Sequence, residues 1–395
     1  MPEKKTPRNK KNTRKLVILK LMRSMMLIIP VITLFYVDHW LTMSQIMLLQ
    51  SIFSISLFSL EIPTGYISDR FGRRQSITIW YSVLVIWFVA YWLGDGFWSF
   101  AMAEIVLAFG YACISGSDSA LLYDTVCQWG KPEVAKKREW RLSFAGDIAW
   151  VMAGVVWGFV GAYYGMDILW LISAWIVAAG LPLARSLEEV RHPSHQETHY
   201  HIFHDAGKII QTFRSKPKIL WLILYTGIIA YATYSLVWSQ QQWMLQLGAP
   251  VAWFGVLWGI ARMFVAGWGL WAHRYDEYLG RGNGLIMLLV WVIVGFILMA
   301  VGVHWIIAFA WLCVAFSMRW VQSSLSSYYI NTEIDSSLRA TTLSSMSMIH
   351  RIIFAVVLPL QWWIGDHYGL QTMFVIMIGV FVVTGGLVQW KLYQT

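Results

Sequence analysis

Arg262, Arg319 and Arg351 each stand near the middle of a long apolar run in the second half of the chain. A guanidinium keeps its proton in a protein and offers five donors in a planar fork. In nonpolar surroundings it needs an acid, carbonyl oxygens or a bound anion. No Asp or Glu lies deep in the apolar runs of that half. A carboxylate or phosphate held by the guanidinium fork is therefore the chemistry these residues fit. The alternative is that acids of the first half satisfy some of them. Helical spacing would align Arg319 with Gln322 and Ser326, and Arg351 with Ser344 and Ser347. Tyr231, Tyr234, Trp238 and Gln241 form a further polar and aromatic stripe, which would line a ligand or simply pack.

The first half has the opposite complement: Arg23, Glu61, Glu104, Asp118 and Asp147 all fall within apolar runs. Proton exchange coupled to ligand binding needs a group that changes charge, so Glu61, Asp118 and Asp147 are the candidates. Arg23 is a partner for Asp118 and Asp147, and a structural ion pair is the competing reading. Asp124, at the end of its run, reads as a gating or capping residue.

The elements that must position these side chains are membrane spans. The chain has 395 residues, of which 58% are hydrophobic and only 13% charged, with a mean hydropathy of +0.55. A soluble domain of that length needs more charge to cover its surface, so lipid covers much of the outside. The 25 Trp and 18 Tyr suit the two membrane interfaces. Apolar segments of spanning length fall at about 16–38, 43–67, 76–93, 98–125, 141–164 and 166–184, then at about 219–241, 250–272, 284–302, 305–330, 340–363 and 368–390. The expected fold is all-α, with about twelve helices in two sets of six. Continuously apolar runs exclude a β-barrel, whose strands alternate.

The net charge of +9 is not a nucleic-acid footprint, because its Lys and Arg follow a topological pattern. They fill the arm 1–15 and every second connection, including Arg70, Arg73, Arg74, Lys136, Lys137, Arg274, Arg281 and Arg339. The intervening connections contain none. Both termini and the long central loop are accordingly expected in the cytoplasm. The basic arm would otherwise suit anionic lipid or nucleic acid. Cys113, Cys127 and Cys313 lack metal-ligand spacing and are expected as free thiols.

One motif lies at the cytoplasmic end of the second span: Gly65-x-x-x-Asp69-Arg70-x-Gly72-Arg73-Arg74. Gly65 permits close helix approach, Gly72 a tight turn, and the arginines anchor the loop inside. Asp69 is a carboxylate at a helix C-terminus, where the dipole disfavours it, so it wants a partner from elsewhere. The halves also resemble each other. Residues 109–125 align without gaps to 316–332, and Gly65 to Arg74 corresponds loosely to Gly269 to Arg274 with Gly280-Arg281. The motif matches every defined position of the signature loop of the major facilitator superfamily, and the chain resembles that family over its whole length. The resemblance implies two pseudo-symmetric six-helix bundles around a central cavity and transport by alternating access. It also implies that Gly65, Asp69, Arg70, Gly72, Arg73 and Arg74 gate the cytoplasmic side instead of touching cargo. Glu61-Ile-Pro-Thr-Gly65 and Ser115 to Asp124 look like marks of some bacterial transporters of this family, which implies an inner-membrane location. The Gly-Pro-rich fifth helix of its drug antiporters is poorly met, since Phe159 stands where proline is expected; Gly154, Gly158 and Gly161 read as close-packing positions.

The expected organisation is a basic arm 1–15, a bundle 16–184, a central loop 185–218 and a bundle 219–395. That loop holds His192, His195, His199, His201 and His204, half of the chain's ten histidines, and reads as a solvated linker or a metal-sensing site. The leading functional expectation is a monomeric, proton-coupled transporter of a small organic anion, such as a polycarboxylate metabolite or carboxylate siderophore. Its partners would be that substrate, protons and the bilayer, with no nucleic acid and no cofactor. An exporter of amphiphilic drugs or lysolipids, with structural arginines, is the second reading. A non-transporting sensor using the His-rich loop is the third. No nucleophile–base pairing, metal motif or phosphate loop suggests an enzyme.

Overall fold

The computed structural model describes residues 6–114, 117–127, 133–190, 213–269, 272–334 and 339–394, and some side chains inside these ranges are not described. Every long described element is an α-helix. Apolar runs in lipid leave the backbone no partner except itself, and a helix satisfies each N–H and C=O internally.

The helices are α1 (Thr6–Ser24), α2 (Ile32–Asp38), α3 (Met43–Phe71), α4 (Arg73–Leu93), α5 (Phe97–Ile114), α6 (Ser117–Cys127), α7 (Glu133–Tyr164) and α8 (Asp167–Arg185). After the central loop come α9 (Pro217–Gln246), α10 (Phe254–Gly269), α11 (Ala272–Val301), α12 (Trp305–Glu333), α13 (Arg339–Tyr368) and α14 (Leu370–Gln394). Ten stretches among the described residues are long and apolar enough to cross a membrane. The two other expected spans correspond to α7 and α10. The first expected span is α1 and α2, joined through a short 3-10 turn at Ile29–Val31 that contains Pro30. The fourth is α5 followed by α6. Helix α11 begins before its apolar run and kinks at Gly280, which has non-helical angles.

Contacts divide the chain into two compact units. The first comprises residues 1–35, 52–198 and 252–259; the second comprises 36–51, 199–251 and 260–395.

In the first unit, α4 packs between α5 and α8. An aromatic cluster fills that junction. Tyr91 stacks on Trp170 with ring centroids 4.4 Å apart and on Phe100 at 4.9 Å, with Trp87 and Phe35 edge-on to Trp170. Tyr91 also donates a hydrogen bond of 2.5 Å to the buried Glu104 carboxylate, so this acid belongs to the core. Helix α7 meets the first turn of α10 backbone to backbone. A Cβ at Gly154 or Gly255 would collide with the other's carbonyl group.

In the second unit, α9 packs on α12, α13 and α14, and α11 packs on α12 and α14. Pro359 lies inside α13. It has no N–H to donate to the carbonyl of Ala355, four residues earlier. The buried Ser51 hydroxyl of α3 supplies that bond instead, at 2.7 Å. At the same end, the Asp366 carboxylate accepts from the Ser44 N–H at 2.8 Å. A carboxylate at the first turn of a helix meets the positive end of its dipole. Cys113 and Cys313 are buried free thiols.

Candidate functional site

Two groupings bring the sequence candidates together, one in each unit.

The first lies where α3 turns into α4. Gly72 adopts φ 89 and ψ 163, a region essentially reserved for glycine, and caps α4. The first N–H groups of that helix have no partner within it. Glu189, just after α8, accepts from the N–H of Arg73 at 2.9 Å and of Arg74 at 2.7 Å. Its carboxylate fills the space beside Gly72, where a Cβ would lie 2.9 Å from the carboxyl carbon. The Arg73 guanidinium pairs with Asp124 of α6. The arm joins this surface: the Asn12 amide donates to the carbonyl of Glu188 at 3.2 Å and to the Thr125 hydroxyl at 3.3 Å. The Glu188 N–H returns a bond to Asn12 at 3.1 Å. Basic arm, signature loop, α6 and the start of the central loop thus meet at one end of the first unit. Gly65, Asp69 and Arg70 fall on α3 side chains outside those described, and residues 192–205 of the His-rich loop lie outside the described residues.

Deeper in this unit, Arg23 of α1 binds Asp118 of α6 at 2.5 Å, and the Lys20 ammonium stands 3.8 Å from the same carboxylate. Asp118 is therefore held by two cations. Glu61 lies on α3 and Asp147 on α7, both partly buried.

The second grouping is a polar seam between α9, α12 and α13. Arg319 is the middle residue of the 29-residue α12. Its guanidinium lies 3.4 Å above the ring of Tyr234 on α9, a close cation–π contact. One amino group also reaches the Ala230 carbonyl at 3.4 Å, a long hydrogen bond. Among the described residues no carboxylate pairs with it. Tyr234 is 37% exposed, so the pair does not lie sealed within this unit. One turn along α12, the Gln322 amide donates to the Thr226 carbonyl at 3.2 Å and to the Ser326 hydroxyl at 3.0 Å. His350 of α13 completes the seam, its Nε2 lying 3.1 Å from the Ile223 carbonyl and 3.4 Å from the Thr226 hydroxyl.

The remaining candidates lie on α9, α10 and α13. The buried Tyr231 donates to the Gln361 side-chain oxygen at 2.5 Å, which Ser235 also contacts at 2.7 Å. Gln241 is buried and Trp238 partly buried on α9. Arg262 lies on α10 and Arg351 on α13, both partly buried.

Glu189 and His350 were not among the sequence candidates. Nothing near Glu189 in the chain signals that it caps a helix more than a hundred residues earlier. His350 had a weak signal, an ionisable residue beside Arg351 inside a span.

A family profile described as Major Facilitator Superfamily matches residues 18–352. No curated protein sequence matches the chain. Among solved structures, a variant of the nucleoside transporter NupG superposes with a TM-score of 0.82 at 14% identity, covering 95% of this chain and 98% of that one. A bacterial homologue of the human lysosomal transporter Spinster, inward-facing and unoccupied, gives 0.70 at 15% identity and 98% coverage of both chains. A D-xylose–proton symporter gives 0.68 at 14% identity, covering 98% of this chain and 96% of that one. At these identities the likeness is one of fold.

Proposed function

This chain belongs to the Major Facilitator Superfamily, and on that premise we propose that it moves a small organic anion across the cytoplasmic membrane by alternating access, coupled to protons. The observation that carries the reading is Arg319. A permanent cation stands at the middle of a spanning helix, held by an aromatic face and one long carbonyl bond, with no carboxylate against it among the described residues. Most of its donor capacity is left for a ligand, and a carboxylate is the ligand that a guanidinium fork fits. Gln322 and Ser326, on the same face of α12, are buried and bonded to each other and to the Thr226 carbonyl, and fix α12 against α9 beside the proposed site. Arg262 and Arg351 complete the proposed set.

The orientation, with both termini and the central loop in the cytoplasm, is supported by the gathering of Asn12, Arg73, Asp124 and Glu188 at one end of the first unit. In the second unit, Lys218 pairs with Glu333 at 3.0 Å, joining the start of α9 to the end of α12. Glu61, Asp118 and Asp147, with Arg23, form the proposed proton-coupling pool, and of these Asp118 is held by Arg23 and Lys20.

The test is uptake into proteoliposomes under an imposed pH gradient, with citrate and other polycarboxylates set against nucleosides, sugars and cationic amphiphiles. Arg319→Ala should abolish anion uptake, and Arg319→Lys should recover only part of it because the fork is lost. Unchanged uptake in Arg319→Ala would refute the anion site.

A further inference from the structure

Thr226, Gln322 and Ser326 hold the seam together, but only His350 in it has a side chain that ordinarily titrates near neutral pH. The Ile223 carbonyl can only accept, so the short contact at 3.1 Å means that Nε2 carries the ring hydrogen. The open lone pair is then on Nδ1, for which the described residues offer no partner. The ring sits against Gly227, where a Cβ would lie 2.9 Å from Cδ2 and 3.3 Å from Nε2. This α9 surface therefore accommodates an imidazole only because residue 227 lacks a side chain.

From α9 the ring meets Ile223, Thr226 and Gly227, none of them charged. From α12, Gln322, three residues after Arg319, donates to the carbonyl of Thr226, whose hydroxyl lies 3.4 Å from Nε2. On its own helix the next residue is Arg351. Helix α14, which also packs on α13, carries a single charge, Lys391, in its last turn. Tyr234, beneath Arg319, supplies a phenol further along α9. Helix α3 also meets α13, at Ser51 and Ala355, and carries Glu61 ten residues on; on α9, α12, α13 and α14 no carboxylate faces His350 among the described residues.

We propose that His350 is the proton-linked group of the anion site: a proton taken up on Nδ1 accompanies binding of the anion at Arg319. The inference rests on the anion reading above and replaces the first unit's carboxyls as the source of the linkage. Protonating Nδ1 while Nε2 keeps its bond to Ile223 places a second cation in the same seam as Arg319, with His350 at the Ile223–Gly227 level of α9 and Arg319 reaching Ala230. With the site empty, that arrangement is repulsive. A bound carboxylate or sulfonate offsets both charges, so anion and proton each favour the other's binding by the same factor. The balance is one anion and one proton entering together, with Arg319 keeping its own proton throughout.

The experiment is calorimetry on the purified full-length protein between pH 6 and pH 8, in buffers of differing ionisation enthalpy. Citrate and ethanedisulfonate are the probes, the latter because its own charge is constant over that window. For ethanedisulfonate, wild type should bind more tightly as pH falls, by up to about tenfold per pH unit, with net proton uptake. His350→Gln, whose amide can still donate to Ile223, should bind the probe at high pH about as wild type does, with a flat pH profile and no uptake. Wild-type binding without proton uptake overturns the inference and leaves the anion site standing, even if the variant does not fold. Retained uptake in His350→Gln also overturns it. Failure of every anion to bind overturns the anion reading itself and this inference with it.

Discussion

Replacing Gly72 by alanine perturbs two things that the structure ties together. The first is backbone strain. With φ at 89 and ψ at 163, the residue occupies a region that costs a side-chain-bearing residue about 1–3 kcal/mol. The second is the cap. The new Cβ would stand 2.9 Å from the Glu189 carboxyl carbon and oxygen, forcing the carboxylate away from the N–H groups of Arg73 and Arg74. Losing an N-terminal cap costs about 1 kcal/mol. Gly72→Ala should therefore destabilise by about 2–4 kcal/mol, from the strain and the cap together. Glu189→Ala removes only the cap, and should cost about 1 kcal/mol. Because the cap can be lost only once, the double variant should cost less than the sum of the singles by about 1 kcal/mol. Reversible unfolding of the detergent-solubilised protein in SDS, followed by circular dichroism, measures all three. Strict additivity would show that Gly72 and Glu189 act independently and that the carboxylate does not cap α4.

Three further outcomes follow from the geometry. Ser51→Ala leaves the Ala355 carbonyl without its substitute donor and should cost about 1–3 kcal/mol in the same unfolding assay. Adding Pro359→Ala restores a backbone N–H and should recover part of the loss; no recovery would mean that Ser51 is not compensating for the proline. Asp118→Asn leaves Arg23 and Lys20 facing an amide and should destabilise by about 3 kcal/mol or more, whereas Arg23→Met with Asp118→Leu should be closer to wild type. An unaltered Asp118→Asn protein with lost proton coupling would move Asp118 from structure to mechanism. Gly154→Ala and Gly255→Ala each push apart two backbones in contact, so either alone should cut transport by about tenfold or more while the protein remains folded. Wild-type flux in both would remove that contact from the account.

The spans were legible because hydropathy reports the solvent around a segment, and lipid on the outside is the dominant fact about this chain. Hydropathy reports backbone geometry poorly. Helix α7 starts at Glu133, well before the apolar run at about 141, because Lys136, Lys137 and Arg138 continue the helix into the aqueous phase. Pro30 lies at the short turn between α1 and α2, a point inside one continuous apolar run. The signature loop was legible as a motif, and the positive φ at Gly72 is what its glycine implied. Its cap was not legible, since Glu189 is distant in the chain and carries no local pattern. Arg319 stood out as a charge in an apolar helix, but its support did not. The Tyr234 ring lies on the stripe that periodicity identified, while the Ala230 carbonyl and His350 come from helices whose rotation no sequence pattern reports.

The central claim is that Arg319 binds the anion that this transporter carries. The most direct measurement is ligand-induced thermal stabilisation of purified wild-type and Arg319→Ala protein, screened against citrate, other polycarboxylates, nucleosides, sugars and cationic amphiphiles. The account predicts stabilisation of wild type by at least one polycarboxylate, rising with its concentration and absent in Arg319→Ala. Stabilisation by neutral or cationic compounds alone, or by a polycarboxylate equally in both proteins, would contradict it.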